Sequence, residues 1–452
     1  MPLKFVFGPS GSGKSTYLYQ HVIEESEKYP LKNFIVLVPE QFTMQTQKDL
    51  VSMHPRHGIM NIDVLSFARL AYRVFEETGT KQMQVLDDEG KNLILRKIAG
   101  DYENKLTVLK GNIKKLGYIS EVKSVISEFT QYDIWEEEMD EMLDHLDEDS
   151  RLYYKLKDIR LLYEGFQDYL RERYITKEEL LDVLNSQVKE SELLKNSVVV
   201  LDGFTGFTPV QNRLILELMR CCKEVWVTVT MDERENPYAY KHPYQLFGLS
   251  KQMVTTLIRM AGEEHIEVEE PVCLYGYPVK RFEKNQELAF LERNIFRYGA
   301  GRYDKAVENL EIHAAGNPRQ EADAVAEGIR RLVRKEQYRY RDIGVIVSDM
   351  NVYGDYLEQA FENYGIPVFM DHKRSILLNS FVEYIRSLLN MAEKNFSYES
   401  VFRFLRTNLA GFACEEVDEL ENYVLGLGIR GYKGWQNRGI RRLKGMEEEA
   451  QD

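Results

Sequence analysis

Eight residues near the start of the chain, Gly8-Pro9-Ser10-Gly11-Ser12-Gly13-Lys14-Ser15, satisfy the pattern G-x-x-x-x-G-K-[ST] in full. Each residue type has a chemical reason to be there. Glycines let the backbone close around phosphate oxygens, so that its N–H groups donate to them. A helix starting near Lys14 aims the positive end of its dipole at the same anion. Lys14 neutralises charge on the β- and γ-phosphates, and the Ser15 hydroxyl is a hard oxygen ligand for Mg²⁺. The pattern predicts a nucleotide site for ATP with Mg²⁺, held by residues 8–15. Alone it does not choose between a kinase, a GTPase and a motor.

The metal side of such a site needs a carboxylate at the end of a buried strand. Val198-Val-Val-Leu201 followed by Asp202 meets that need, so Asp202 joins Ser15 as the expected Mg²⁺ side. In ATPases the next residue is commonly a glutamate that positions the attacking water. Here it is Gly203, which has no group to act as a base. The stretch Asp202-Gly-Phe-Thr-Gly-Phe-Thr-Pro-Val-Gln211 resembles the UvrD-like helicase motif D-E-F-Q-D-T-N-x-x-Q. The Asp, the Phe and the final Gln keep register, whereas the catalytic Glu is gone.

These residues must be carried by a parallel sheet. Residues 3–7 read as a short strand and the continuously apolar run 34–38 as a buried parallel one, and a further strand is expected near Asp63-Val-Leu65. Helical pattern lies between them, beginning with Ser15–Glu25, and alternation of this kind means an α/β fold with a parallel sheet. Between 84 and 190 the pattern changes. Ile119, Val122, Ile126 and Phe129 recur at helical spacing, as do Leu152, Leu156, Ile159 and Tyr163, which predicts a helical insertion. The sheet resumes at Ser197–Leu201 and Val225–Val229, so residues 1–83 and 191–300 form one domain. A second α/β unit is expected over 305–395, with strands at Leu310–Ala314, Ile343–Val347 and Ile366–Phe369 and a helix over Pro318–Lys335. The segment 396–452 reads as helical.

The 452 residues allow two or three domains, and 44% hydrophobic with 29% charged residues is ordinary for a globular chain. No apolar run approaches the roughly 18 residues that cross a bilayer, and Met1–Phe7 has no signal-peptide pattern. A cytoplasmic protein without a membrane partner is expected. The four cysteines match no zinc, haem or redox spacing. A net charge of −14 argues against a free-standing nucleic-acid binder, but not against a locally basic channel or a shared task with a partner.

Taken together, several stretches resemble the AddB family, the B subunits of bacterial AddAB helicase–nucleases. They are the phosphate loop near the start, Val38-Pro-Glu-Gln-Phe-Thr43, Asp63-Val-Leu-Ser-Phe-Ala-Arg-Leu-Ala-Tyr-Arg73, Leu201–Gln211, Asn317-Pro-Arg-Gln-Glu321, Tyr340–Val347, Gly365–Asp371 and Glu421–Gly431. The resemblance covers the whole chain. It implies a P-loop NTPase fold of the UvrD-like helicase kind, with a helical insertion and a second RecA-like domain. It also implies a heterodimer with an AddA-type motor and nuclease subunit that resects double-stranded DNA ends. In such a complex the AddB member holds ATP, does not drive translocation, and scans the emerging single strand for the Chi sequence. Family members are longer, and their nuclease domain and iron–sulfur cluster are expected in a C-terminal part that this sequence lacks. An active UvrD-type helicase is the alternative, and Gly203 is the residue that argues against it.

Related helicases face single-stranded DNA with the segments after their second and third strands. The resemblance therefore places Gln41, Thr43, Phe67 and Arg69 as DNA contacts, with Phe207 in a third motif. Gln and Thr can bond base edges, Phe can stack, and Arg can hold a phosphate or a guanine edge. Phe67 and Phe207 suit a core equally well. Arg319 stands where related motors place a phosphate-sensing arginine, or it is a solvated residue at a helix start.

Overall fold

The computed structural model describes residues 2–80, 84–112, 115–171, 173–299, 301–371 and 376–436. It divides into two compact units, residues 1–311 and 312–452.

The first unit is built on six parallel strands. These are β1 (Leu3–Gly8), β2 (Asn33–Leu37), β3 (Ile62–Leu65), then, beyond a separate two-stranded pair β4 (Gln84–Val85) and β5 (Tyr174–Ile175), β6 (Ser197–Leu201), β7 (Glu224–Thr230) and β8 (Val272–Cys273). The spatial order is β3-β2-β6-β7-β1-β8. Strand β6 pairs with β2 (Leu37 opposite Leu201) on one side and with β7 (Leu201 opposite Val227) on the other.

Because the sheet is covered on both faces, alternate residues enter two different cores. Phe5, Phe7, Ile35, Leu37, Val199, Leu201, Val225, Val227 and Val229 enter one core. Val6, Phe34, Val36, Val198, Val200 and Trp226 enter the other. Helices α1 (Lys14–Lys28) and α2 (Thr43–Met53) cover the second face through Leu18, Tyr19, Val22, Ile23 and Leu50. Helix α3 (Phe67–Thr78) covers the first, through Leu70, Ala71, Val74 and Phe75.

The helical insertion holds α4 (Asp88–Asp101), α5 (Leu116–Gln131), α6 (Glu136–Asp144) and α7 (Arg151–Leu170) around its own core, which includes Ile119, Val122, Ile126, Ile159 and Tyr163. Leu152, in the first turn of α7, is exposed, unlike the expected stripe. Helix α8 (Leu180–Gln187), expected within the insertion, instead buries Leu180 and Leu184 in the core of the sheet. Helices α9 (Glu192–Lys195), α10 (Pro209–Cys221), α11 (Gly248–Glu263) and α12 (Gln286–Asn294) complete the unit.

In the second unit, α13 (Pro318–Lys335) and α14 (Met350–Asn363) pack through Ala322, Ala326, Ile329, Leu357 and Phe361. Helices α15 (Ser380–Glu393), α16 (Tyr398–Leu405) and α17 (Cys414–Leu427) share another core, followed by α18 (Gly431–Gln436). Residues 437–452 of the expected helical tail lie outside the described residues.

The three expected strands of this region are not there. Leu310–Ala314, Ile343–Val347 and Ile366–Phe369 form no ladder, and Ile312, Ile346 and Phe369 are almost fully exposed. An apolar run becomes a strand only when a neighbour takes its backbone groups, and Pro367 removes one donor from the third run. The second and third runs instead border one open groove of about 890 Å³, with Ile343 and Ile366 turned to the helices.

Candidate nucleotide site

The phosphate loop leaves the sheet where the pairing of β1 with β7 ends, at Gly8 opposite Thr230. Ser12 N donates to Pro9 O at 3.2 Å, which tightens the loop, and Gly13 stands at the N-terminus of α1. Gly11 has φ +82°, and a Cβ there would lie 2.9 Å from the Arg281 Cβ. Glycine alone satisfies both the left-handed backbone and the close approach. The Ser12 hydroxyl is buried without a hydrogen-bond partner, an orphaned group that suits an anion held in the loop.

Lys14 Nζ donates to the carbonyl oxygens of Gly8 and Pro9, each at 2.9 Å. Burial pushes its pKa down to about 8; the Asp202 and Glu292 carboxylates oppose the fall and Arg281 adds to it. The cation is therefore desolvated and poised, with carbonyls as its partners.

Asp202 follows β6 and continues its alternation, so it faces α1 and α2 as Val198 and Val200 do. It is buried, and each carboxylate oxygen accepts a hydroxyl: Oδ1 from Thr228 on β7 at 2.6 Å, Oδ2 from Tyr19 on α1 at 2.7 Å. Lys14, Ser15, Asp202, Gly203 and Thr228 border one cavity of about 480 Å³, within the usual range for small-molecule sites. Ser15 and Asp202 supply oxygen ligands of the type Mg²⁺ prefers, with phosphate and water left to complete the set. Gly203 has φ +79°, so the position that carries a glutamate in active motors holds a backbone shape L side chains rarely adopt.

Two cations at this site had no sequence signal. After β8 the chain turns back over the loop, and Arg281 N donates to Gly11 O at 3.0 Å. Lys280 and Arg281 are exposed and border the same cavity. Their approach rests on the two-residue pairing of β1 with β8, too short to read from apolar pattern.

The expected DNA residues follow three adjacent strands, β3, β2 and β6, at their C-terminal ends. That is the edge where open α/β sheets hold ligands. Gln41 and Arg69 are exposed there. Two expectations are corrected. Phe67 is buried in the core, with its ring 5.4 Å from that of Phe204 and 6.4 Å from that of Phe207, so it has no free face for a base. Thr43 is buried, and its hydroxyl donates to Glu40 O at 3.0 Å, stabilising the start of α2. Phe207 is half-buried beside them. Phe42, missed in the sequence, lies between Gln41 and Thr43 and is 48% exposed. Gln211, in register with the helicase motif, closes a capping box with Thr208 at the start of α10. Arg319 is an exposed first-turn residue of α13. Among the described residues no cluster of three or more His, Cys, Asp or Glu is placed to hold a metal, and no helix is long and apolar enough to cross a membrane.

A family model described as ADDB, N-terminal, matches residues 5–292. The B subunit of an ATP-dependent helicase/deoxyribonuclease from Lachnoclostridium phytofermentans is 44% identical over 451 residues, covering 98% of this chain and 39% of its own. Proteins of the same name from Caldanaerobacter subterraneus subsp. tengcongensis and Clostridium acetobutylicum are 37% and 33% identical, covering 97% and 96% of this chain and 37% of their own. The chain thus spans less than two-fifths of the length of the relatives it matches.

Two outcomes are expected. Phosphate binding favours protonated Lys14, so raising the pH through the free-site pKa of about 8 costs affinity. Between about pH 7 and about pH 9, ATP affinity measured by calorimetry falls by about tenfold. Lys14→Arg, which does not titrate there, flattens that profile. Replacing Lys280 and Arg281 together by Ala weakens ATP binding by about tenfold or more with the melting temperature unchanged. Unchanged affinity would show that these cations do not face the phosphates.

Proposed function

The chain belongs to the AddB family, the B subunits of ATP-dependent helicase/deoxyribonucleases, and on that premise we propose that it is a nucleotide-holding, single-strand-binding module rather than a motor. The observation that carries this reading is the pairing of a complete phosphate loop and metal-side Asp202 with Gly203. Residues 8–15 bind the phosphates of ATP, and Lys14, Lys280 and Arg281 neutralise their charge. Ser15 and Asp202 hold Mg²⁺, which when bound shields the β- and γ-phosphate oxygens. With no carboxylate at position 203, nothing in this stretch takes a proton from an attacking water.

The loops after β2, β3 and β6 face the emerging single strand, with Gln41 and Arg69 on base edges and phosphates and Phe42 as a stacking platform. In a heterodimer with an AddA-type motor and nuclease subunit, this module reads the strand for the Chi sequence while the partner resects double-stranded ends. The acidic overall charge fits a chain that shares DNA binding with a partner.

Two measurements test the reading. The purified chain with saturating ATP, Mg²⁺ and single-stranded DNA turns over more slowly than about 1 s⁻¹, the lower edge of ordinary enzyme rates, while binding ATP in a titration. Turnover of several per second would return it to the active helicases. Gln41→Ala with Arg69→Ala lowers single-strand affinity by about tenfold, read by anisotropy of a labelled oligonucleotide, and leaves ATP affinity within about twofold. Undiminished strand binding would move the DNA face elsewhere.

A further inference from the structure

Nothing in phosphate binding uses Tyr19. It lies on α1, one turn beyond Ser15, and is 6% exposed in a layer of Leu18, Val22, Val36 and Leu50. A phenylalanine would fill that volume with no polar atom to satisfy. The hydroxyl instead reaches two other elements. It donates to Asp202 Oδ2 at 2.7 Å and lies 3.3 Å from Thr46 Oγ1 on α2. A phenol has one proton. With that proton committed to the carboxylate, the Thr46 hydroxyl is the donor to Tyr19, which gives a polarised chain from Thr46 through Tyr19 to Asp202. Thr46 is itself buried. Burial and the nearby Asp202 charge both push the Tyr19 pKa upward.

The chain joins two places of different purpose. One end is the metal-side carboxylate after β6. The other is α2, which continues from the Glu40–Phe42 turn that carries Gln41 and Phe42. Asp202 has both oxygens engaged, one by Thr228 and one by Tyr19. Each oxygen keeps a further acceptor site, and a cation that takes it draws electron density from the hydroxyl bond that oxygen already accepts. Thr228 is fixed within β7, whereas Tyr19 passes the change to α2.

The geometry points to Tyr19 as a positioning residue that couples nucleotide occupancy at Asp202 to the pose of the strand-facing start of α2. This rests on the nucleotide and single-strand reading above. The coupling is reciprocal by linkage, so bound DNA changes nucleotide affinity by the same factor.

The test uses the intact chain, a labelled oligo(dT), and Mg²⁺ with a slowly hydrolysed ATP analogue. Oligonucleotide affinity is measured with and without saturating analogue, and analogue affinity with and without oligonucleotide. In the unaltered chain the two factors agree and lie at about fivefold or more, the lower range of measured couplings. In Tyr19→Phe the factor falls below about twofold, while each ligand alone binds within about threefold of the unaltered chain. Thr46→Val severs the chain at its other end, preserves volume, and has the same effect; it supplies the test should Tyr19→Phe fold poorly. A coupling factor unchanged in these variants overturns the inference. So does an unaltered chain that binds both ligands without coupling, a result that leaves the two binding sites standing. Failure of the unaltered chain to bind either ligand overturns the underlying reading, and the coupling with it.

Discussion

The Asp202 carboxylate accepts one hydroxyl on each oxygen, from Thr228 and from Tyr19, inside a layer of mostly apolar side chains. A buried anion so placed is tolerable only when its lone pairs are met, and both donors come from elements set by the sheet. Strand β6 runs between β2 and β7, which leaves no choice of face. Even-numbered residues from Val198 onward meet α1 and α2, and the next of them is Asp202. The same parity turns Trp226 and Thr228 to that side. A slip of one residue in this register would place the carboxylate in the opposite core, among Leu214 and Leu218. The phosphate loop, the metal side and the start of α2 all depend on that register.

Much of this was legible in the sequence, for a physical reason. Strands buried on both faces are continuous apolar runs, so β1, β2, β6 and β7 stand out, and the phosphate loop is a pattern that backbone geometry makes hard to vary. Other features depend on contacts that a one-dimensional reading does not contain. Lys280 and Arg281 reach the loop through a strand of two residues, paired with one more than two hundred and fifty positions earlier. Phe67 and Thr43 occupy positions that face DNA in a motif, but motif register says nothing of burial. One became core and the other a turn stabiliser. Gln211 kept the helicase frame while its side chain serves a helix cap. The runs at 343–347 and 366–369 have strand composition without strand partners, and composition alone does not make a ladder.

The electrostatics of the site explain how an acidic chain can hold a polyanion. Three cations, Lys14, Lys280 and Arg281, converge on one cavity beside a helix N-terminus. Lys14 sits in a desolvated position, where its charge is worth more than on the surface. Net charge governs long-range steering, whereas binding is decided within the few ångströms where desolvation is strong. The −14 of the whole chain and the anion site are therefore compatible.

A ligand can shift a conformational equilibrium only by its differential affinity for the two states. In a motor, hydrolysis resets that shift at every cycle, and the energy appears as movement. If Gly203 leaves the site without hydrolysis, as proposed, the shift lasts as long as the nucleotide stays bound. A site of this kind converts nucleotide binding into a sustained pose of the elements attached to it. The attachment runs through Asp202, Tyr19 and Thr46 to α2, and typical coupling energies of about 1–3 kcal/mol are within reach of one buried hydrogen-bonded chain. On the proposed single-strand reading, a coupling of that size is enough to bias how tightly the strand is held.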